Sequence, residues 1–533
     1  MTNFGDFWGP REKKVKSPAG QSPLGGANKS KVKSREWGSI LSTKIKPILS
    51  VIGNFFRRLG RIYFVLNRVD KIALGALIII LLALGGYKFD RDWLSKTKRV
   101  PTTGGRYKEV LIGQAHYLNP VLASTDTDRT INQLIYSGLT KIDASGNIVP
   151  DLAKSWEISA DGKTYTFHLR DDVSWQDGVK FSSADVTATI TAIKDGNIKS
   201  PYFDAWKDIE VQVPDQNTVI FNLKSPYGPF LYNTLIGIIP AHIDSSLISS
   251  SPVGTGPYKF VKAVSGKNKV IEEVDMAMSG NYYGQKPYIS EVTFQIAGDE
   301  NQAKEDFSST FSPALAIAGM KLSDDATSYS YTISRDFGVI FNLNNEKIKD
   351  VAVRKKIAST DKIDPQLSFK LLVLDKPLSV STAQDLQKSY SSRGINITID
   401  KKSAVDYTNL LAKRNYEAVL YGFDSGYDRD PYPFWHSSQI TSGNNFSGFS
   451  NKPADLLLES ARMTTDTVAR NQKYDQFLAI LADQVPVIYL PAQNFNFSVK
   501  SSVHGITAVK GYEPWDHLND FANWYLKTKR VKP

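Results

Sequence analysis

The sequence predicts an α/β protein with a parallel sheet, preceded by one transmembrane helix. Strand-like and helix-like stretches alternate from residue 369 to residue 423, and one uncharged apolar run stands at 72–87. Everything after residue 71 is electrically balanced. Residues 1–71 hold 15 of the 65 Lys and Arg and 4 of the 54 Asp and Glu, so the whole net charge of +11 lies there, and the remainder stands at 50 against 50. A balanced body of this size gives no basic groove for nucleic acid.

The elements follow in chain order. Residues 1–44, rich in Lys, Ser, Gly and Pro, fit a basic cytoplasmic tail without packed structure. Between 48 and 66, Ile48, Ile52, Phe55, Leu59, Ile62 and Leu66 recur at helical spacing, with Arg57, Arg58 and Arg61 largely opposite. Such a helix suits an anionic membrane surface or docks on a partner protein. The run "IALGALIIILLALGGY" at 72–87 would span about 24 Å as a helix, a little short of a ~30 Å hydrocarbon core. With 71 residues ahead of it, a transmembrane signal anchor fits better than a cleaved signal peptide; a buried core helix is the competing reading. Both flanks are basic, so charge alone does not orient it. We expect a cytoplasmic N-terminus and an extracytoplasmic body, joined by a linker at 88–106.

Beyond the linker, "EVLIGQ" predicts a strand and "TDRTINQLIYSGL" a helix. "TYTFHLR" predicts a strand, "SSADVTATITAI" a helix, and "DIEVQVPDQNTVIFNL" a hairpin turning at 214–217. Further on, "FKLLVLD", a helix at 382–393, "INITID", "AVDYTNLLAKRN" and "YEAVLYGF" form two consecutive βαβ units. Open sheets of this kind bind ligands at the carboxyl ends of their strands. One such end opens into "FDSGYDRDPYPFWHSSQ", residues 423–439.

That loop concentrates three aspartates and five aromatic residues. It fails as a calcium loop: counted from Asp424, Arg429 stands where glycine is needed and Trp435 where glutamate is needed. Catalysis by Asp424, Asp428 or Asp430 would need a partner carboxylate across a substrate, which neighbours on one loop do not supply. The chain has no cysteine, six scattered histidines and none of the common nucleophile, zinc or phosphate motifs. We therefore expect no metal, no cofactor and no enzyme activity. The candidate ligand-binding residues are Tyr421, Phe423, Asp424, Tyr427, Asp428 and Trp435, aromatic surface with carboxylates for a cationic group. For Phe434 and Trp435, anchoring the next helix in the core is an equal alternative.

Several stretches carry a resemblance: "LNPVLASTDTDRTINQLIYSGLTKID", "IVPDLAKSWEISADGKTYTFHLRDDVSWQDGVKFSSADV", "VGTGPYKF", "FNLNNEKIKDVAVRKKIAST" and "RNQKYDQFLAILADQVPVIYLP". In this order, from about residue 107 to the C-terminus, they resemble the extracellular solute-binding proteins of family 5, the peptide- and nickel-type receptors of ABC importers. The resemblance implies a two-lobed periplasmic-binding-protein-like fold of class II with an extra inserted domain. Lobe I would be 107–123, 252–337 and 491–533, the inserted domain 124–251 and lobe II 338–490, with hinge crossings at 338–344 and 485–491. It also implies capture of an oligopeptide or similar polar solute between the lobes, with an ABC permease and ATPase as partners. A solute sensor or adaptor without transport is the alternative.

Three departures qualify the resemblance. The family's peptide receptors carry "GWxxDY" after the lobe II strand; here Gly422 and Phe423 are followed by Gly426 and Tyr427, with no aspartate in the place that pairs with a peptide amine. About ten residues separate "VRKKIAST" from "LSFKLLVLD", where the family has a longer excursion. The anchor replaces the family's cleaved signal, and tethering raises the effective concentration of receptor at a permease.

Overall fold

The computed structural model describes residues 67–266, 270–309, 315–322, 326–362, 366–492, 494–507 and 510–532. The amphipathic helix expected at 48–66 and nearly all of the basic tail lie outside them. The chain divides into a short unit ending at Lys98 and a large body, Arg99–Val531.

In the short unit one helix, Arg68–Ser95, runs for 28 residues, about 42 Å at 1.5 Å per residue. It is long and apolar enough to cross a membrane, and Ile72, Ile79 and Leu82 along it are exposed. The expected linker at 88–106 needs correction. Residues 88–95 contain neither Pro nor Gly, so the helix continues to Ser95, and a strand, Lys98–Thr102, follows.

The body holds two large sheets. The seven-stranded sheet is ordered Ala326–Thr332, Asn494–Lys500, Leu315–Ala318, Arg106–Ile112, Glu291–Ala297, Ile271–Met278 and Tyr258–Ser265. Its central strand, Arg106–Ile112, is parallel to both neighbours, with Lys108 opposite Leu315 on one side and Thr293 on the other. Three separate stretches of chain build this sheet. The four-stranded antiparallel sheet of Ala153–Ile158, Thr164–Leu169, Thr218–Asn222 and Glu210–Asp215 includes the expected hairpin. It shares one continuous core with the larger sheet, running from Tyr107 through Phe167 and Phe221 to Trp524.

The five-stranded sheet is ordered Ile395–Lys402, Leu367–Leu374, Ala418–Asp424, Arg335–Phe341 and Val487–Tyr489. Its first three strands are parallel and connected by the helices Pro377–Ser391 and Ala404–Ala412. The first helix starts five residues before the expected 382, because Pro377 at its first position presets the helical φ. Strands bury alternate residues on opposite faces. Val339, Phe341, Leu371, Val373, Ala418 and Leu420 feed one core; Ile340, Leu372, Val419 and Phe423 feed another. The second is closed by the helices Lys452–Arg462 and Thr467–Gln484. The segments expected as hinge crossings, 338–344 and 485–491, lie side by side, with Gly338 opposite Tyr489 and Ile340 opposite Val487.

Candidate functional site

A cavity of about 680 Å³ opens in the body, with Arg129, Tyr232, Asp424, Tyr427, Glu513 and Trp515 in its wall. Arg129 lies in the first turn of the helix Asp126–Ile135. A reciprocal cap holds that turn: the Thr125 hydroxyl accepts from Asp128 N at 3.0 Å, and the Asp128 carboxylate accepts from Thr125 N at 3.3 Å. The other Asp128 oxygen accepts from the backbone N–H groups of His116 and Tyr117 at 2.7 and 3.0 Å. The helix start is therefore anchored independently of the cavity.

Glu513 and Trp515 come from the 3₁₀ turn Pro514–Leu518 and its leading edge. A buried pair fixes this turn from below. His517 Nε2 lies 2.6 Å from Glu109 Oε1, and Nδ1 lies 2.8 Å from Pro514 O. The carbonyl can only accept, so Nδ1 carries a hydrogen. Burial alone lowers the His517 pKa, but the Glu109 carboxylate and the Pro514 carbonyl more than offset it and leave it raised. The Tyr107 hydroxyl donates to the second Glu109 oxygen at 3.0 Å.

Arg335 organises the charge at the edge of the cavity. Its Nη1 and Nη2 donate to the two Asp126 oxygens at 2.6 and 2.8 Å, Nη2 also reaches Glu513 Oε2 at 3.2 Å, and Nε stands 3.5 Å from Asp424 Oδ2. Burial, reinforced by the Asp424 charge and opposed by Arg335, pushes the Glu513 carboxyl up to about 8. Tyr427 donates from its hydroxyl to Asp516 Oδ1 at 2.8 Å and accepts from Trp515 Nε1 at 2.9 Å. Its ring stacks parallel to Tyr232 with centroids 5.9 Å apart. One loop thus meets residues from three distant parts of the chain.

Among the six residues expected to bind ligand, Asp424 and Tyr427 stand in the cavity wall. The other four do not. Phe423 is 3% exposed and shares its strand face with Val419 and Tyr421, so it points into the core. There it stacks on Trp435 at 5.9 Å and meets Phe434 at 5.2 Å. Trp435 is 2% exposed and anchors its short helix. Tyr421 packs against Phe446 at 4.9 Å. Asp428 is taken by Arg470, with contacts of 2.8 and 2.6 Å, and by the Tyr474 hydroxyl at 2.9 Å. The third loop aspartate, Asp430, accepts from Arg462 Nε at 2.7 Å.

Each aspartate of the loop therefore faces a different arginine, from strand Arg335–Phe341 or from one of the two closing helices. The loop is an ion-paired strut. Among the described residues, no group of three or more His, Asp and Glu is placed to hold a metal. Sequence reasoning missed Arg129, Glu513 and Trp515. Arg129 looked like an ordinary first-turn helix residue, and "GYEPWDHL" carries no periodicity, though its Glu and Trp flanking a proline resemble the composition of the loop that was singled out.

Residues 147–360 match the family described as bacterial extracellular solute-binding proteins, family 5 Middle. The oligopeptide-binding protein AppA of Bacillus subtilis (strain 168) is 23% identical over 544 residues, covering 84% of this chain and 97% of that protein. The ABC transporter substrate-binding protein CtaP of Listeria monocytogenes superposes with a TM-score of 0.68 at 23% identity, over 80% of this chain and all of that one. NikZ of Campylobacter jejuni, solved with Ni(L-His), superposes with a TM-score of 0.63 at 24% identity, over 79% of this chain and 99% of that one. These likenesses establish the fold as mixed α/β and two-lobed.

Proposed function

The chain belongs to extracellular solute-binding family 5, and from that premise we propose that it is the substrate-binding component of an ABC importer, held at the membrane by the helix Arg68–Ser95. It captures an oligopeptide or similar polar solute and delivers it to a permease. One observation carries this reading. The cavity wall combines Asp424 and Tyr427, at the end of the five-stranded sheet, with Arg129 and Trp515, carried by a helix and a turn whose buried residues join the core of the seven-stranded one. A solute there touches both sheets at once, so binding favours whichever arrangement brings them together.

The relatives' names support the peptide class: AppA is an oligopeptide-binding protein, and a 23% identical Escherichia coli protein is a dipeptide-binding one. No step of chemistry is assigned to the chain, because Asp424 and Glu513 at the cavity are both engaged by Arg335 rather than facing one another across open space.

The test is a thermal-shift screen of the full chain in detergent against peptides, sugars, polyamines and nickel chelates. Stabilisation that grows with ligand concentration, as linkage requires, supports the reading; no response to any class sinks it. Membrane placement has its own test. The chain has no cysteine, so Ser30→Cys and Ser389→Cys variants can each be probed in intact cells with an impermeant maleimide. Labelling at 389 and not at 30 is the expected result.

A further inference from the structure

The arginines around this cavity fall into two groups. Arg335, Arg462 and Arg470 each have a carboxylate within 2.6 Å. Arg129, which lines the cavity, has no salt bridge among the described residues, and its Nε is buried without a hydrogen-bond partner. Two rings flank it: the guanidinium carbon sits 5.1 Å from the Trp515 ring and 6.0 Å from that of Tyr202. Its pKa is raised despite burial, first by the Tyr202 side chain and then by Glu513 and Asp126, but both of these acids give their carboxylates to Arg335 in hydrogen bonds.

The remaining acids in the wall are engaged too. Asp151 accepts from the Tyr283 hydroxyl at 2.7 Å and faces Lys141 at 3.4 Å. Asp520 accepts from the Thr507 hydroxyl at 2.6 Å. Asp143 accepts from the backbone N–H groups of Ser145 and Asn147 at 2.8 and 2.9 Å. A guanidinium taken out of water without an anion carries a desolvation cost that a bound anion would relieve. Its planar fork matches a carboxylate in two-pronged geometry.

The same helix face offers a second signal. Asn132, Gln133 and Tyr136 follow Arg129 at spacings of three, four and seven, which places them along one side of the helix. All three line the cavity, and Asn132 Oδ1, Gln133 Oε1 and the Tyr136 hydroxyl are buried without partners. Two of these atoms only accept hydrogen bonds. One turn beyond a cation that has no salt bridge, the wall asks for an N–H donor.

We propose that Arg129 receives the carboxylate of the bound solute and that Asn132 and Gln133 receive an adjacent N–H, so that the receptor selects a carboxylate flanked by an amide or amine. This rests on the solute-receptor reading and narrows its substrate class. The C-terminal residue of a short peptide and a free amino acid both carry this chemistry; a plain dicarboxylate does not.

The experiment is calorimetric titration of the full chain in detergent with four probes: an equimolar tripeptide library with free C-termini, the same library amidated, a mixture of neutral free amino acids, and succinate. The free-acid library should bind, and amidation should weaken it roughly 10- to 100-fold, the range for losing a hydrogen bond to a charged group. Arg129→Gln should cost the free library far more affinity than the amidated one and so narrow the gap between them, while Arg129→Lys should restore part of the difference. Binding of the amino acids in place of the tripeptides supports the same assignment with the shorter source. Equal affinity of both libraries for the wild-type chain, succinate binding as well as either, or an Arg129→Gln loss that strikes both libraries alike overturns the assignment and leaves the receptor reading standing. Silence from these probes and from sugars, polyamines and nickel chelates overturns both.

Discussion

Arg335 grips Asp126 with both ends of its guanidinium, at 2.6 and 2.8 Å, and so joins the first residue of a crossing strand in the five-stranded sheet to the N-terminus of the helix Asp126–Ile135. Two-pronged pairs of this kind hold geometry as well as supplying energy, and an acid in the first helical turn is favoured by the helix dipole. The pair ties a strand of the five-stranded sheet to the helix that carries Arg129, beside the cavity residues Asp424 and Glu513.

Arg335→Gln should therefore open the body. Small-angle scattering of the ligand-free chain should give a larger radius of gyration than wild type, and solute affinity should fall because a smaller fraction of molecules is competent to bind. An unchanged radius would mean that other contacts, such as Tyr427 to Asp516 at 2.8 Å, hold the lobes without it.

Phe423 and Trp435 make the opposite kind of prediction. Stacked at 5.9 Å inside the core, each should lose about 3–5 kcal/mol of stability on replacement by Ala, the usual range for a large buried aromatic. Denaturant unfolding should show this while affinity for a bound solute changes less than about twofold, a small fraction of the effect on folding. Loss of affinity at full stability would place them back on the cavity wall.

The sequence made the alternating strands and helices between 367 and 424 legible because each parallel unit is local, with its crossover helix written between its strands. Its alternation did not reveal the seven-stranded sheet, whose neighbours Leu315–Ala318 and Asn494–Lys500 come from the middle and the C-terminal end of the body. Phe423 illustrates the same limit at one residue. Alternation placed it on one strand face, but which face is sealed depends on the helices Lys452–Arg462 and Thr467–Gln484 further along. Asp424, one residue later, falls on the other parity and reaches the cavity. The loop was legible as a special place; its arginine partners, drawn from three elements, were not.

Asp428 and Arg470 are both nearly inaccessible, with side-chain exposures of 7% and 2%. Burial raises the Asp428 pKa even with Arg470 and Tyr474 opposing. Removing one member of such a pair leaves the other charge uncompensated, so Asp428→Asn should destabilise the chain by about 3–5 kcal/mol. Arg470 also donates to the carbonyls of Thr464 and Thr465 at 2.9 and 3.1 Å. The double variant Asp428→Asn, Arg470→Met should for that reason recover only part of the loss. Full recovery in denaturant unfolding would show that the carbonyl contacts contribute nothing.

Glu513 gives the chain a pH dependence whose sign follows from its environment. Burial, with the Asp424 charge beside it and Arg335 opposing, lifts its carboxyl from an ordinary 4.5 to about 8, so between those values the folded chain keeps a proton that the unfolded chain releases. Stability from this group is fully present below about 4.5 and declines as pH rises toward 8. The melting temperature should fall across that window, and Glu513→Gln, which stays neutral, should flatten the fall; Asp428 and Asp516, whose pKa values are also raised by burial, retain their own share. Ligand binding should follow. Once charged, Glu513 competes for the guanidiniums around it, including the nearby Arg129, so affinity for a free-acid peptide should weaken above about pH 8 in the wild-type chain and stay level in Glu513→Gln. Matching pH profiles in the two proteins would take Glu513 out of the electrostatics of the cavity.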